Sequence, residues 1–349
     1  MDSEKAVMFL ESSFISEYLL KDKVTDVSFN GTSFYYQTND RGRNKAEIKV
    51  ELSMVKDFLR QIANMTEKQF SYQSPFLDVS IGRYRINAVH QSIARKGNEQ
   101  TLTFSIRIAG DKGLINDDSD FLTPELISLF TLLLNKNMSL VIGGITGSGK
   151  TEFQKYLISK MRENTRVIIV DNILELSSVS NSEKLDYNVW QVDEKNQEAS
   201  IQLLVRNALR SNPDWLIVAE SRGAEMLEVL NSAMTGHPII TTLHALNAQS
   251  MPSRMGRMIM MNDKKMDFEN VMSDVFYHFR IFIYLKREFR KDGTVFRYIS
   301  DIVEFDEQGH SNNIYRYSKG ERIYSPLSKE FLSLLEEDKK EQLSEVFKM

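Results

Sequence analysis

The segment Gly144-Ile145-Thr146-Gly147-Ser148-Gly149-Lys150-Thr151 constrains this chain more than any other feature. It is entered from the apolar run Leu140-Val141-Ile142, and a helical pattern begins at Lys150. A strand, a glycine loop and a helix in that order form a phosphate cradle. The glycines let backbone N–H groups crowd around phosphate oxygens, and the helix N-terminus adds positive potential. Lys150 is expected to reach the β- and γ-phosphates of ATP, and Thr151 to ligate Mg²⁺. The expected nucleotide contacts run from Gly144 through Thr151 to Glu152, with Gly144, Ile145, Thr146, Gly147, Ser148 and Gly149 supplied by the loop.

The flanking sequence suits an α/β unit. Apolar strands at 139–142, 167–171 and 215–219 alternate with amphipathic helices at 152–161 and 199–210, which favours βα units around a parallel sheet. The preceding hundred residues read differently. Stretches 26–29 and 33–37 flank Asn30-Gly31 as a hairpin, and Met54, Phe58, Leu59, Ile62 and Met65 repeat at helical spacing. Strand character resumes at 77–81, 84–89 and 102–108. Residues 110–120, rich in glycine and aspartate, read as a mobile connection. The expected organisation is an amino-terminal α+β domain at 1–110, a linker at 111–120 and a P-loop domain at 121–349.

Two domains suit 349 residues, and 42% hydrophobic with 26% charged residues is the composition of globular proteins. A net charge of −4 argues against binding nucleic acid by bulk charge, and the absence of cysteine excludes disulfides and thiolate chemistry. The polar, acidic start does not read as a secretory signal. The strongest apolar stretch, 126–134, is far short of the roughly 20 residues that span a bilayer. A cytoplasmic protein with peripheral attachment to a membrane is expected.

Phosphoryl transfer needs acids to hold the metal and position water. Two strands end in carboxylates: Val167-Ile168-Ile169-Val170-Asp171, with Glu175 beyond it, and Leu216-Ile217-Val218-Ala219-Glu220. Carboxyl ends of parallel strands are where ligands gather. Glu175 is expected to polarise the attacking water and Glu220 to hold Mg²⁺, an assignment that allows exchange of the two roles. His237 and His244 flank the apolar strand Ile239-Ile240-Thr241-Thr242, as phosphate-sensing candidates or as ordinary polar strand ends.

Taken together these motifs resemble the traffic ATPases of type II and type IV secretion, pilus assembly and conjugation. Residues 171–176 resemble that family's aspartate box, 207–223 its Walker B region with Arg210 and Arg222, and 235–238 with 241–245 its histidine box. The resemblance extends from about residue 25 to residue 304. It implies a RecA-like P-loop domain and a homo-hexamer that hydrolyses ATP with Mg²⁺. It further implies inner-membrane partners in a secretion, conjugation or pilus machine, without sequence-specific nucleic-acid binding. Arg85 and Arg107 correspond to amino-terminal-domain arginines that close over the nucleotide in that family. Ala219 stands where the family usually has glycine, Asn212 where arginine is frequent, and Asn172 alters the aspartate box. The missing cysteine zinc module leans the resemblance toward the conjugation and Tad-pilus branch.

Two other functions stay open on the residues alone: a RecA-like nucleic-acid motor or helicase, and a regulatory module that binds ATP without appreciable hydrolysis. No aromatic stacking run supports the first, and Glu175 and Glu220 weigh against the second. Methionines 251, 255, 258 and 261 read as adaptable core or subunit interface. Residues 281–285 and 298–305 read as strands, and 327–346 as a charged helix with a solvated face.

Overall fold

In the computed structural model, residues 3–110, 113–117, 120–193, 196–262, 265–335 and 343–348 are described. They form two compact units: Met1–Gly110 with Phe289–Phe296, and Asp111–Glu288 with Arg297–Met349.

The first unit is a six-stranded antiparallel sheet in the order Gly42–Lys45, Phe34–Thr38, Val24–Phe29, Thr103–Ile108, Tyr84–Val89, Phe76–Ile81. The Asn30-Gly31 hairpin forms because Asn30 Oδ1 accepts from the Thr32 and Ser33 amides, at 3.1 and 2.9 Å, while Gly31 adopts φ +98°. Period-two alternation sends Phe104, Ile106 and Ile108 inward and leaves Ser105 and Arg107 exposed. Helix Leu52–Met65 covers the inner face with Val55, Phe58, Leu59 and Ile62. Phe58 packs against Phe9, Phe14 and Phe104 with ring centroids 5.2–5.9 Å apart. Helix Ser3–Glu11, which the strand-rich reading of this region did not single out, brings Glu11 Oε1 to the Tyr84 hydroxyl at 2.6 Å. Burial first, then that bond, pushes the Tyr84 phenol up to about 12. Residues 289–296, assigned from sequence to the second domain, belong to this unit: Val295 N donates to Asp40 O at 2.6 Å, and the Phe289 ring lies over Gly42.

The second unit has a mixed α/β fold around a nine-stranded sheet. Its order is Asp186–Gln191, Arg166–Asp171, Trp215–Val218, Ile239–Leu243, Leu140–Gly144, Ile281–Phe289, Val295–Phe305, Ser311–Ser318, Glu321–Tyr324. The first six strands run parallel, and the last three pair antiparallel through Ser311–Ser318. Alternation divides the strand residues between two buried layers. Leu140, Ile142, Val167, Ile169 and Ile217 face helices Pro124–Asn135 and Lys150–Ser159. Val141, Ile168, Val170, Leu216 and Val218 face helices Ile201–Ala208, Met226–Met234 and Met251–Ile259. The apolar stretch 126–134 is therefore core helix, capped by Thr123 Oγ1 accepting from Leu126 N at 3.3 Å. Among the described residues no helix is long and apolar enough to cross a membrane. Met251, Met255 and Met258 are core, whereas Met261 is exposed.

Two expectations change here. The segment after residue 110 is anchored where it is described. Leu114 N donates to Glu152 Oε2 at 2.8 Å, and Asp117 takes bonds from Tyr156 (2.9 Å) and Lys160 (2.5 Å). These three partners stand at i, i+4 and i+8 on one helix face, a spacing that a composition-based reading does not register. In place of a helix over 327–346, the described residues hold helix Lys329–Ser333 and a short 3₁₀ turn at Glu345–Phe347. Residues 336–342 of that expected helix lie outside the described residues.

Candidate active site

The glycine loop leaves the carboxyl end of the fully buried strand Leu140–Gly144 and enters helix Lys150–Ser159. Gly149 caps that helix at φ +100°, a left-handed conformation that a side chain resists. At Gly144 a Cβ would stand 2.7 Å from the Leu285 carbonyl oxygen and 2.4 Å from Ser148 Oγ, so only glycine fits. Lys150 is buried to 9% exposure, and its Nζ donates to the carbonyls of Gly144 (3.1 Å) and Ile145 (3.3 Å). The ammonium thus stays at the mouth of the loop. Thr151 follows in the first helical turn.

Parallel register brings the ends of neighbouring strands to the same side. Glu220, two residues past strand Trp215–Val218, accepts from Arg222 Nη2 at 2.8 Å, and its other oxygen lies 2.9 Å from His244 Nε2. The opposite ring nitrogen, Nδ1, is 3.1 Å from the Gly144 carbonyl. The imidazole thus stands between the Glu220 carboxylate and the Gly144 carbonyl, with one ring nitrogen toward each. Burial works to raise the Glu220 carboxyl, but the Arg222 hydrogen bond and the charges of Arg222, His244 and Lys150 outweigh it and hold the group below its ordinary range. Thr242 Oγ1 donates to Ala219 O at 2.7 Å and Ser221 N to Thr242 O at 2.8 Å, stitching these two strand ends together.

Asp171 serves the site through the backbone. It is 1% exposed, and its two oxygens accept from Ile173 N and Leu176 N, each at 3.0 Å. Burial raises its carboxyl above the usual range against these amides and the Lys155 charge. The capped turn holds Glu175, which opens a 3₁₀ turn beside helix Lys150–Ser159.

Other expected site residues lie elsewhere. His237 bonds Thr235 Oγ1 at 3.0 Å before strand Ile239–Leu243, at the amino end of the sheet. The strand separates it from His244 by about 17 Å, so within one chain the two histidines do not share a site. Arg210 is exposed and also precedes its strand, Trp215–Val218, at that far edge. Glu152, counted among the nucleotide contacts, pairs with Lys155 at 3.1 Å and holds Leu114 N. In the first unit Arg85 and Arg107 face each other across adjacent strands. Arg85 grips Asp78 at 3.0 and 3.2 Å, and Arg107 lies 3.8 Å from Asp26. Asn212, standing where arginine was expected, adopts φ +50°, which asparagine tolerates better than most residues.

Two residues escaped the sequence reading. Arg297 Nε donates to the Gly147 carbonyl at 2.8 Å, and a Cβ on Gly147 would stand 2.6 Å from Arg287 Nη1. Arg287 belongs to the last parallel strand, Ile281–Phe289, and Arg297 to the following strand Val295–Phe305, both outside any motif.

The residues present fit a nucleotide with a divalent cation. Ser148 Oγ is buried without a hydrogen-bond partner in the glycine loop, and Lys150 Nζ bonds the Gly144 carbonyl at the start of that loop. Among the described residues no cluster of three or more acidic or histidine ligands forms a metal cage. Thr151 and Glu220 instead suit Mg²⁺, which keeps much of its shell for phosphate and water.

Residues 117–276 match the family model described as type II/IV secretion system protein. An uncharacterized protein of Bacillus anthracis is 28% identical over 356 residues, spanning 96% of this chain and 78% of its own length. The type IV secretion system protein VirB11 of Brucella suis is 32% identical over 126 residues, 35% of each chain. The X-ray structure of the Legionella pneumophila ATPase DotB matches at TM-score 0.62 and 21% identity, covering 88% of this chain and 82% of its own, a likeness of fold.

Proposed function

This chain belongs to the type II/type IV secretion ATPase superfamily, and from that premise we propose that it is a Mg²⁺-dependent ATPase that assembles as a homo-hexamer. Its role is to power a secretion, conjugation or pilus-assembly machine from the cytoplasmic face of a membrane. The RecA-like assignment of the second unit, and a division of the chain at 110 and 121 with residues 289–296 joined to the first part, belong to the same proposal.

The observation that carries this reading is the bridge from the Gly144 carbonyl through His244 to Glu220. It ties the phosphate loop to the strand-end acid, so a change in phosphate charge at the loop is felt by the carboxylate. Lys150 neutralises phosphate charge, and Thr151 and Glu220 would hold Mg²⁺, which would supply further positive charge to the phosphates. Glu175, on the turn that Asp171 caps, orients the attacking water and accepts its proton. Arg222 keeps Glu220 ionised and aimed. His237, at the far edge of the sheet, has no part in this chain's own cradle. Arg85 and Arg107 have the role of supplying positive charge to the nucleotide phosphates.

The test is to purify the full chain, measure its mass with and without MgATP, and measure phosphate release with and without single-stranded DNA. DNA-independent hydrolysis by a six-subunit species supports the proposal. Hydrolysis that depends on DNA favours a nucleic-acid motor, and tight ATP binding without turnover favours a regulatory module.

A further inference from the structure

Arg287 and Arg297 stand on strands Ile281–Phe289 and Val295–Phe305 and converge on the crown of the glycine loop from outside every sequence motif. Arg297 Nε donates to the Gly147 carbonyl at 2.8 Å, and its Cδ would lie 3.6 Å from a Cβ on Gly149. Arg287 Nη1 would lie 2.6 Å from a Cβ on Gly147, a position whose φ of +75° favours glycine. The loop crown is therefore roofed by two guanidinium groups. The two guanidinium charges repel each other, and an anion beside both is attracted to each.

Resting on the nucleotide-site reading above, we propose that Arg287 and Arg297 contact the phosphate chain of the bound nucleotide. They make the loop a site for nucleoside di- and triphosphates and discriminate against monophosphates. The electrostatics agree. The Arg297 guanidinium is lowered to about 10, chiefly by burial and then by the Arg287 charge, against the attraction of Glu152. A polyphosphate reverses the repulsion. A guanidinium fork matches two phosphate oxygens at once, which a single lysine ammonium does not. Lys150 is already turned to the carbonyls of Gly144 and Ile145 at the start of the loop, so the arginines serve the Gly147 side.

The experiment uses the full chain and its Arg287→Gln, Arg297→Gln, Arg297→Lys and Lys150→Ala variants. MgATP, ADP, AMP and inorganic pyrophosphate are titrated calorimetrically at several salt concentrations, and melting is recorded without ligand. Each Gln variant should weaken ATP and pyrophosphate about 10-fold or more, the scale of one charge-assisted hydrogen bond. Each should also flatten the salt dependence and leave the AMP affinity within about 2-fold. Arg297→Lys, which keeps the charge and loses the Nε donor, should retain most of the salt dependence. Unchanged pyrophosphate and ATP affinities in both Gln variants, with binding lost in Lys150→Ala, would overturn the arginine proposal alone. An Arg297→Lys variant as weak as Arg297→Gln, with an unchanged salt slope in both, would show that Arg297 acts only by holding Gly147. Native ATP affinity in Lys150→Ala would instead overturn the phosphate-loop reading on which the proposal stands.

Discussion

His244 Nε2 lies 2.9 Å from a carboxylate oxygen of Glu220, and the same ring reaches the Gly144 carbonyl with its other nitrogen. One side chain therefore joins the ends of two strands that are separated in sequence. Removing it should uncouple the acid from the phosphate loop. For His244→Ala we expect kcat to fall by about 10-fold or more with the KM for ATP within about 3-fold, the pattern of an interaction that matters in the transition state. His244→Gln, which keeps a donor toward Glu220, should recover part of the loss. Steady-state phosphate release decides it, and a native kcat in His244→Ala would remove the bridge from the mechanism.

Glu175 and Glu220 should fail in different ways. Each Gln substitution is expected to lower turnover by about 10²-fold while keeping ATP binding. Only Glu220→Gln should also demand more Mg²⁺ for half-maximal rate, because only that carboxylate is assigned to the metal. Titrating Mg²⁺ at saturating ATP separates the two roles. A shifted Mg²⁺ requirement in Glu175→Gln instead would exchange them.

The depressed Glu220 carboxyl has a sign in stability. Its folded value lies below its ordinary value of 4.5, so the carboxylate contributes stability that is fully present above that value and is lost as pH falls through the folded one. The native protein should therefore lose melting temperature relative to Glu220→Gln as the pH falls below the ordinary value of 4.5. Paired melts across this range read it directly. A difference that grows on acidification would show that the Arg222 and His244 contacts do not stabilise the charged form.

Arg85→Ala and Arg107→Ala should each reduce kcat/KM about 10-fold or more if the family role holds, the scale of losing a charge at a phosphoryl group. Both positions are on the exposed face of the first sheet, so melting should shift by no more than about 1 kcal/mol equivalent. Native kinetics in both variants would reduce them to the ion pairs seen with Asp78 and Asp26.

Gly144→Ala should destabilise the second unit by about 1–3 kcal/mol in urea unfolding. The added methyl meets the Leu285 carbonyl, which is backbone and cannot swing aside. A loss below about 0.5 kcal/mol would mean that the strand Ile281–Phe289 yields more easily than its burial suggests.

The legible parts of the chain were those written in local pattern. The glycine loop, the hairpin at Asn30-Gly31 and the two strand-end acids all depend on neighbours in sequence. Asp171 and Glu220 share a pattern, yet the fold gives one to backbone amides and the other to Arg222 and His244, a difference that depends on which strand lies alongside. His237 and His244 are close in number, but a parallel strand places its two ends on opposite edges of a sheet. Arg287 and Arg297 follow the loop by well over a hundred residues and carry no signature, because an arginine on an alternating strand looks like any exposed cation until another segment is brought beneath it. The aspartate-rich connection read as mobile because composition does not show that Glu152, Tyr156 and Lys160 line up to receive Leu114 and Asp117.

The assignment of residues 289–296 to the first unit changes how the protein can be taken apart. A fragment starting near Phe121 contains the phosphate loop, but it also carries eight residues that belong to the missing unit, with Phe289 and Val295 deprived of Gly42 and Asp40. A fragment of residues 1–110 lacks the same piece. Each cut separates residues 289–296 from the rest of their unit, so low activity in a truncated chain would report an incomplete fold as readily as a missing arginine. Genetic complementation between the two fragments, with restored hydrolysis on mixing, is the behaviour this interleaving favours over independent folding.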